Sequence, residues 1–412
     1  MGSPPPLSAS EAPRAPLRIV FMGTPALAAH ILDRLITAAG TDFVVAGVVT
    51  RPDQPRKRGL KMEPSEVGAV AQRAQLPTLK PARIRTPEFL AELKAFEPDL
   101  LVVAAYGRLL PNPVLEVPRL MPINVHASLL PRHRGAAPIE GAILAGDRES
   151  GVTIMRVIER MDAGPILLQR AIPLAADETQ GTLKEKLAEL GAHALLDAIA
   201  QFRDGTVVET PQDENLATHT TPIEKAHSLI DWSGDAIQIE RVIRAYDPWP
   251  VARTTLAGED LMIWRAEVIA ENSREFSAIT SAPGTIVAVK PEPIVRCGRG
   301  LLALIEVQAS GRRRMARGPE PRPATPAAVE PPLRDLARRR ARRLPHFPVR
   351  TPLPQRPLRL ALPGHSTAET GADGRYPQRS ENQAGRRDSR RWPSDVPACF
   401  SALPIWPPGR RT

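Results

Sequence analysis

Asn124 and His126 stand two residues apart in the run MPINVHA. On an extended strand alternate side chains leave the same face, so an amide and an imidazole would share one space. Asp162 lies farther on, in RMDAGPI, just past the apolar run GVTIMRV. Taken singly, each residue has an ordinary structural explanation. His126 could be a hydrogen-bonded core histidine, Asn124 could close a turn, and Asp162 could precede a turn at Gly164. At the ends of two strands of one sheet, the three together make a proton-transfer site with an oxyanion partner. The imidazole would shuttle a proton, the amide N–H would face an oxyanion, and the carboxylate would support the imidazolium.

Such a site needs a sheet to carry it. Apolar runs at 17–23 (LRIVFMG), 43–50 (FVVAGVVT), 99–106 (DLLVVAAY) and 121–127 read as buried strands, followed by strands near 151–158 and 165–174. Helical stretches fall between and after them: from Pro25 to about Ala39, near 87–96, at 137–145 and at 181–203. Near-continuous apolar strands alternating with helices predict a Rossmann-like α/β domain, its mostly parallel sheet covered on both faces. This catalytic domain is expected over 17–204, after a disordered leader at 1–16. Residues 205–224 are polar, with Gly205, Pro211 and Pro222, and read as a linker. A helix near 235–245 and short alternating strands at 251–256, 261–269, 284–289 and 301–307 then predict a smaller β-rich domain over 225–316, plausible as an OB-like barrel. Trp232, Trp249 and Trp264 are expected to pack its core and its junction with the first domain.

The formal charge of +10 suggests a nucleic-acid-binding protein, but the excess is confined to one end. From Arg317 to Thr412 there are 19 Arg, no Lys, 8 acidic residues and 18 Pro, leaving 36 basic and 37 acidic residues in 1–316. The body is nearly neutral, so any RNA contact there must come from a local cluster. The tail cannot bury enough apolar surface to offset its ordering entropy and is expected to be disordered. Its Arg/Pro/Ala/Gly bias favours a GC-rich gene read out of frame over a selected RNA-binding tail.

One local cluster exists. Arg51, Arg56, Lys57, Arg58 and Lys61 crowd into RPDQPRKRGLK, a loop by its prolines and glycine. Its two readings are a solvated charged loop and a phosphate-contacting one. The two cysteines, Cys297 and Cys399, are too few for a disulfide framework, and no metal site is expected. No apolar run reaches the roughly 20 residues of a membrane helix. The strand-turn at Gly23 offers no G-x-G-x-x-G, which argues against a nicotinamide dehydrogenase.

The run NVHASLLPRHRGAAP, followed by GVTIMRVIERMDAGPIL, resembles the folate-dependent formyltransferases. FMGTPALAAHILDRL and DWSGDAIQIERVIRAYDPWP narrow the resemblance to the branch acting on methionyl-tRNA. The likeness covers about 17–316 and implies that the domain at 225–316 binds tRNA; the short helix and closing strand it implies after Ala316 are replaced by RGPEPRPATPAAVEPP, so an out-of-frame tail would leave that domain incomplete. The likeness also implies that Asn124, His126 and Asp162 are the catalytic trio and that Ser128, Leu129, Leu130 and Pro131 contact the folate. It implies 10-formyltetrahydrofolate as donor, methionyl-initiator tRNA as acceptor, and phosphate contacts from the basic loop near the tRNA end. A cytoplasmic monomer is the accompanying expectation. Two alternatives remain: a formyltransferase for a small amine, such as glycinamide ribonucleotide or an amino sugar, and a catalytically impaired RNA-binding relative.

Overall fold

The computed structural model describes residues 15–56, 61–269, 281–289 and 291–316. The leader, apart from Ala15 and Pro16, and the tail at 317–412 lie outside the described residues.

The long apolar runs do form one sheet. Its seven strands lie in the order Ile166–Pro173, Glu149–Arg156, Met121–His126, Leu100–Ala104, Leu17–Gly23, Phe43–Val49, Thr78–Leu79. From Met121–His126 to Thr78–Leu79 all neighbours are parallel. Glu149–Arg156 runs antiparallel to both of its neighbours. Strand alternation divides the interior into two cores. Ile19 and Phe21 of the first strand join one, Val20 and Met22 the other. Helices Ala26–Ala38 and Gln180–Asp204 cover the first face, and Pro87–Lys94 inserts Phe89 and Leu93 into the second.

The longest helix shows why these segments settle where they do. A capping box between Thr179 and Thr182 starts Gln180–Asp204, and Gly205, in the left-handed region at φ 70°, ends it. Leu183, Leu187 and Leu195 are fully buried. Truncating any one to alanine removes about 2–5 kcal/mol of stability.

Beyond the connector, a second sheet is wholly antiparallel. Ala252–Leu256, Glu259–Ile269, Leu301–Ala309, Ile294–Arg296 and Ile286–Ala288 are neighbours in that order, and Met315–Ala316 also pairs with Leu301–Ala309. Helix Ala236–Ala245, capped by the Asp235 carboxylate, buries Ile239 and Ile243 against Ile263, Leu302 and Val307. Among the described residues its outermost strands do not pair with each other, and what these residues form is an antiparallel sheet. The two sheets are joined through helices Pro138–Ala145 and Ala236–Ala245, where Arg241 Nη1 donates to the Ala145 carbonyl at 3.3 Å.

Several expectations need correction. Trp249 is 56% exposed, because it lies in a turn between Pro248 and Pro250 rather than on a core-facing element. Trp232 packs on the second core and Trp264 carries the Arg314 guanidinium 3.1 Å above its ring. Part of the basic loop is regular: Gln54–Arg56 and Lys61–Glu63 pair as a short antiparallel hairpin. Helix Glu66–Arg73 and strand Ile294–Arg296 were not anticipated, the latter because three residues carry too little periodicity to read.

Candidate active site

Register places the polar residues. Asn124 pairs with Val103 on one side and Met155 on the other, and His126 pairs with Thr153. Val125 points into the first core, so Asn124 and His126 face the opposite side of the sheet. His126 is buried, and its Nε2 lies 3.0 Å from the His133 carbonyl oxygen. A carbonyl only accepts, so Nε2 carries the proton and Nδ1 is the nitrogen turned elsewhere. Nδ1 lies 3.8 Å from Asp162 Oδ2, too far for a good hydrogen bond but within ion-pair reach of a protonated ring. The same carboxylate oxygen accepts the Gly135 backbone N–H at 2.8 Å. The half-buried Asn124 amide makes no hydrogen bond among the described residues. The structure therefore brings His126 and Asp162 together and sets Asn124 on the same strand face.

Two glycines make the approach possible. A Cβ on Gly164 would sit 1.9 Å from the Arg156 carbonyl oxygen, and one on Gly135 would sit 2.2 Å from that of Thr220. Asp162 itself occupies the left-handed region at φ 49°, a conformation a non-glycine residue holds only when its surroundings insist. Gln212 Nε2 donates to the carbonyls of Asp162 (2.9 Å) and Gly164 (2.7 Å).

Arg134 lies beneath this loop, 1% exposed. It donates to Gln212 Oε1 at 3.0 and 2.8 Å and to both oxygens of Glu214 at 3.1 and 2.9 Å. Arg160 also reaches Glu214, at 2.5 Å. Hydrogen bonds from Arg134 and then Arg160 hold the Glu214 carboxyl down at about 2, against an ordinary 4.5. A depressed folded-state value means its stabilising contribution is complete above about pH 4.5 and is lost as the pH falls toward about 2. Urea unfolding across that window is expected to show wild type losing stability faster than Glu214→Gln. Parallel curves would refute the pairing.

The segment Ser128–Pro131 is held from within. Ser128 Oγ donates to the Arg132 carbonyl at 2.7 Å. Thr153 Oγ1 donates to Ser128 O (2.7 Å) and accepts the Leu130 N–H (3.1 Å), while Gln169 Nε2 donates to Leu130 O at 2.8 Å. Ser128 and Leu130 are buried and Leu129 and Pro131 half-buried. Ser128 and Leu129 line a cavity of about 500 Å³ with Arg132, His133, Asp147 and Ser150.

In the basic loop, the Arg51 guanidinium donates to the Gly107 carbonyl. Lys57 and Arg58 lie outside the described residues, as do the side chains of Arg56 and Lys61. No group of His, Cys, Asp and Glu fit to hold a metal ion occurs among the described residues. None of their helices is long and apolar enough to cross a membrane.

The sequence reading missed Arg134, Gln212 and Thr218, whose Oγ1 accepts the His133 N–H at 2.8 Å. It also missed the pairing of His133 Nε2 with Asp147 Oδ2 at 2.7 Å. The one available signal was Arg134 itself, an arginine directly before a glycine in the same polar run as His126.

Comparison with known proteins gives the family of the chain. Residues 17–199 match the formyl transferase family and residues 222–317 the formyl transferase C-terminal domain. A methionyl-tRNA formyltransferase from Methylococcus capsulatus is 46% identical over 300 residues, covering 73% of this chain and 94% of that protein. One from Pseudomonas syringae pv. tomato is 46% identical over 297 residues, covering 72% and 91%. The crystal structure of an N-formyltransferase from Helicobacter canadensis superposes with a TM-score of 0.51 at 16% identity, covering 70% of this chain and 99% of that one. At that identity the likeness is one of fold alone.

Proposed function

The chain belongs to the methionyl-tRNA formyltransferases, and we propose that Asn124, His126 and Asp162 carry out its reaction. It transfers the formyl group of 10-formyltetrahydrofolate to the free amino group of methionyl-initiator tRNA, giving N-formylmethionyl-tRNA for translation initiation. The observation that carries the assignment of residues is the buried His126 ring, 3.8 Å from Asp162 and on one strand face with Asn124.

The chemistry follows from those groups. The unprotonated methionyl amine attacks the formyl carbon, placing negative charge on the formyl oxygen. Asn124, whose amide has no partner among the described residues, donates an N–H to that oxygen. His126 accepts the proton the amine loses at Nδ1 and returns it to the folate nitrogen as the carbon–nitrogen bond breaks. Asp162 offsets the charge of the imidazolium while it lasts. Ser128, Leu129, Leu130 and Pro131 form the folate-contacting segment; its place directly after the strand that carries Asn124 and His126 supports this.

On the tRNA side, Arg51, Arg56, Lys57, Arg58 and Lys61 contact phosphates, a role suited to a hairpin loop dense in cations on a nearly neutral body. The second sheet belongs to an OB-like barrel that also binds tRNA; its antiparallel order supports this reading. The domain division at 17–204, 205–224 and 225–316 is part of the same proposal, with a cytoplasmic monomer as the working form. Replacing Arg56, Lys57, Arg58 and Lys61 by alanine is expected to weaken tRNA binding and flatten the fall of log K with log salt. An unchanged slope would remove the loop from the interface.

The assay that tests the function supplies the purified chain with 10-formyltetrahydrofolate and, separately, charged initiator tRNA, glycinamide ribonucleotide and an amino-sugar nucleotide. Formylation of the tRNA alone is expected. Comparable turnover of either small amine would overturn the assigned acceptor.

A further inference from the structure

The connector at 205–224, a bland polar stretch by composition, is attached to both halves of the site. At one end Thr210 and Ile166 exchange backbone hydrogen bonds at 2.8 Å. Gln212 then spans the bend at Asp162, its Nε2 donating to the carbonyls of Asp162 and Gly164 while its Oε1 receives Arg134. Farther along, Thr218 O accepts the Arg134 N–H, and Thr218 Oγ1 accepts the N–H of His133. His133 is the residue whose carbonyl receives His126 Nε2. His219–Thr220 finally pairs in parallel with Arg134–Gly135, and Gly135 donates to the Asp162 carboxylate.

Gln212 thus holds the backbone of Asp162 itself, while Thr218 and Thr220 reach His133 and Gly135, the residues that bond the imidazole and the carboxylate. The left-handed Asp162 is costly unless it is held, and Gln212 holds the carbonyls on both sides of Ala163. We propose that Gln212 and Thr218 are positioning residues for formyl transfer, the connector strapping Asp162 and His126 at the separation at which they act. This inference rests on the reading of His126 and Asp162 as reacting-site groups. A purely structural role for Gln212 predicts a different result, because Arg134 keeps both bonds to Glu214 when the Gln212 amide N–H is lost.

Steady-state kinetics on the full chain distinguish the two. Gln212→Glu retains the oxygen facing Arg134 and removes the donors to Asp162 and Gly164. It is expected to lower kcat about tenfold to a hundredfold, the scale of a small misplacement in an aligned site, with KM for tRNA and folate unchanged. Thr218→Val should lower kcat in the same way, and Thr218→Ser, which keeps the acceptor oxygen, should restore it. Asp162→Asn with Gln212→Glu should be no slower than Asp162→Asn alone, since both act through one carboxylate. Wild-type kcat in Gln212→Glu, or equal kcat in the two Thr218 variants, overturns the proposal, as does a loss confined to KM. Melting curves show whether Gln212→Glu is folded; if it is not, the Thr218 pair decides. If Asp162→Asn is fully active, the site assignment itself falls, and the strap with it. If Asp162→Asn is slow while Gln212→Glu and Thr218→Val are normal, only the strap falls.

Discussion

His126→Ala is expected to slow formyl transfer about a thousandfold, the middle of the range contributed by general acid–base groups. The ring is buried, Nε2 is committed to the His133 carbonyl, and only Nδ1 is left to exchange a proton. Among the described residues Asp162, at 3.8 Å, is the ion-pair partner of that nitrogen, and a carboxylate so placed supports the imidazolium without replacing the ring. Alanine also orphans the His133 carbonyl, which costs about 1–3 kcal/mol when the group stays dry. His126→Gln separates the two effects, because its amide N–H can still reach that carbonyl while offering no titratable nitrogen. Single-turnover formylation and thermal melting of both variants give the test. Near-native rates in His126→Gln would exclude the ring from proton transfer.

Asn124→Ala is the second large effect: a loss of about 3 kcal/mol of transition-state stabilisation, or roughly a hundredfold in kcat, with little change in KM for the folate. The amide has no partner among the described residues, so its removal leaves no protein group unsatisfied. The loss should therefore appear only when charge develops on the formyl oxygen. Asn124→Asp should be slower still, since a carboxylate repels that charge. Equal losses in kcat and in folate affinity for Asn124→Ala would show a ground-state contact instead.

Most of the central sheet was legible because its strands are buried on both faces. FVVAGVV and LLVVA are apolar without interruption, and no solvated loop would tolerate that. The pair at Asn124 and His126 was legible for a related reason: two polar residues at alternate positions of an otherwise apolar strand need a shared purpose. Asp162 stood out through the glycine two places on, whose missing Cβ lets the chain pass the Arg156 carbonyl. The support beneath them was hidden. Gln212 meets Asp162 across 50 residues and Thr218 meets His133 across 85, and neither carries periodicity or an unusual side chain. Polar residues among prolines look alike whether they face water or clamp a loop. Trp249 failed for the opposite reason, since an aromatic between two prolines follows the turn and not its own hydrophobicity.

The bond from His126 Nε2 to the His133 carbonyl has a directional consequence. With one nitrogen locked, the imidazole has a single door. A proton taken from the incoming amine must leave by the nitrogen through which it came, so the ring cannot drain it to solvent from its far side. Acceptor and leaving group must then visit the same spot in turn, and the ring's occupancy becomes a timer: until the departing nitrogen collects its proton, a second amine finds the seat taken.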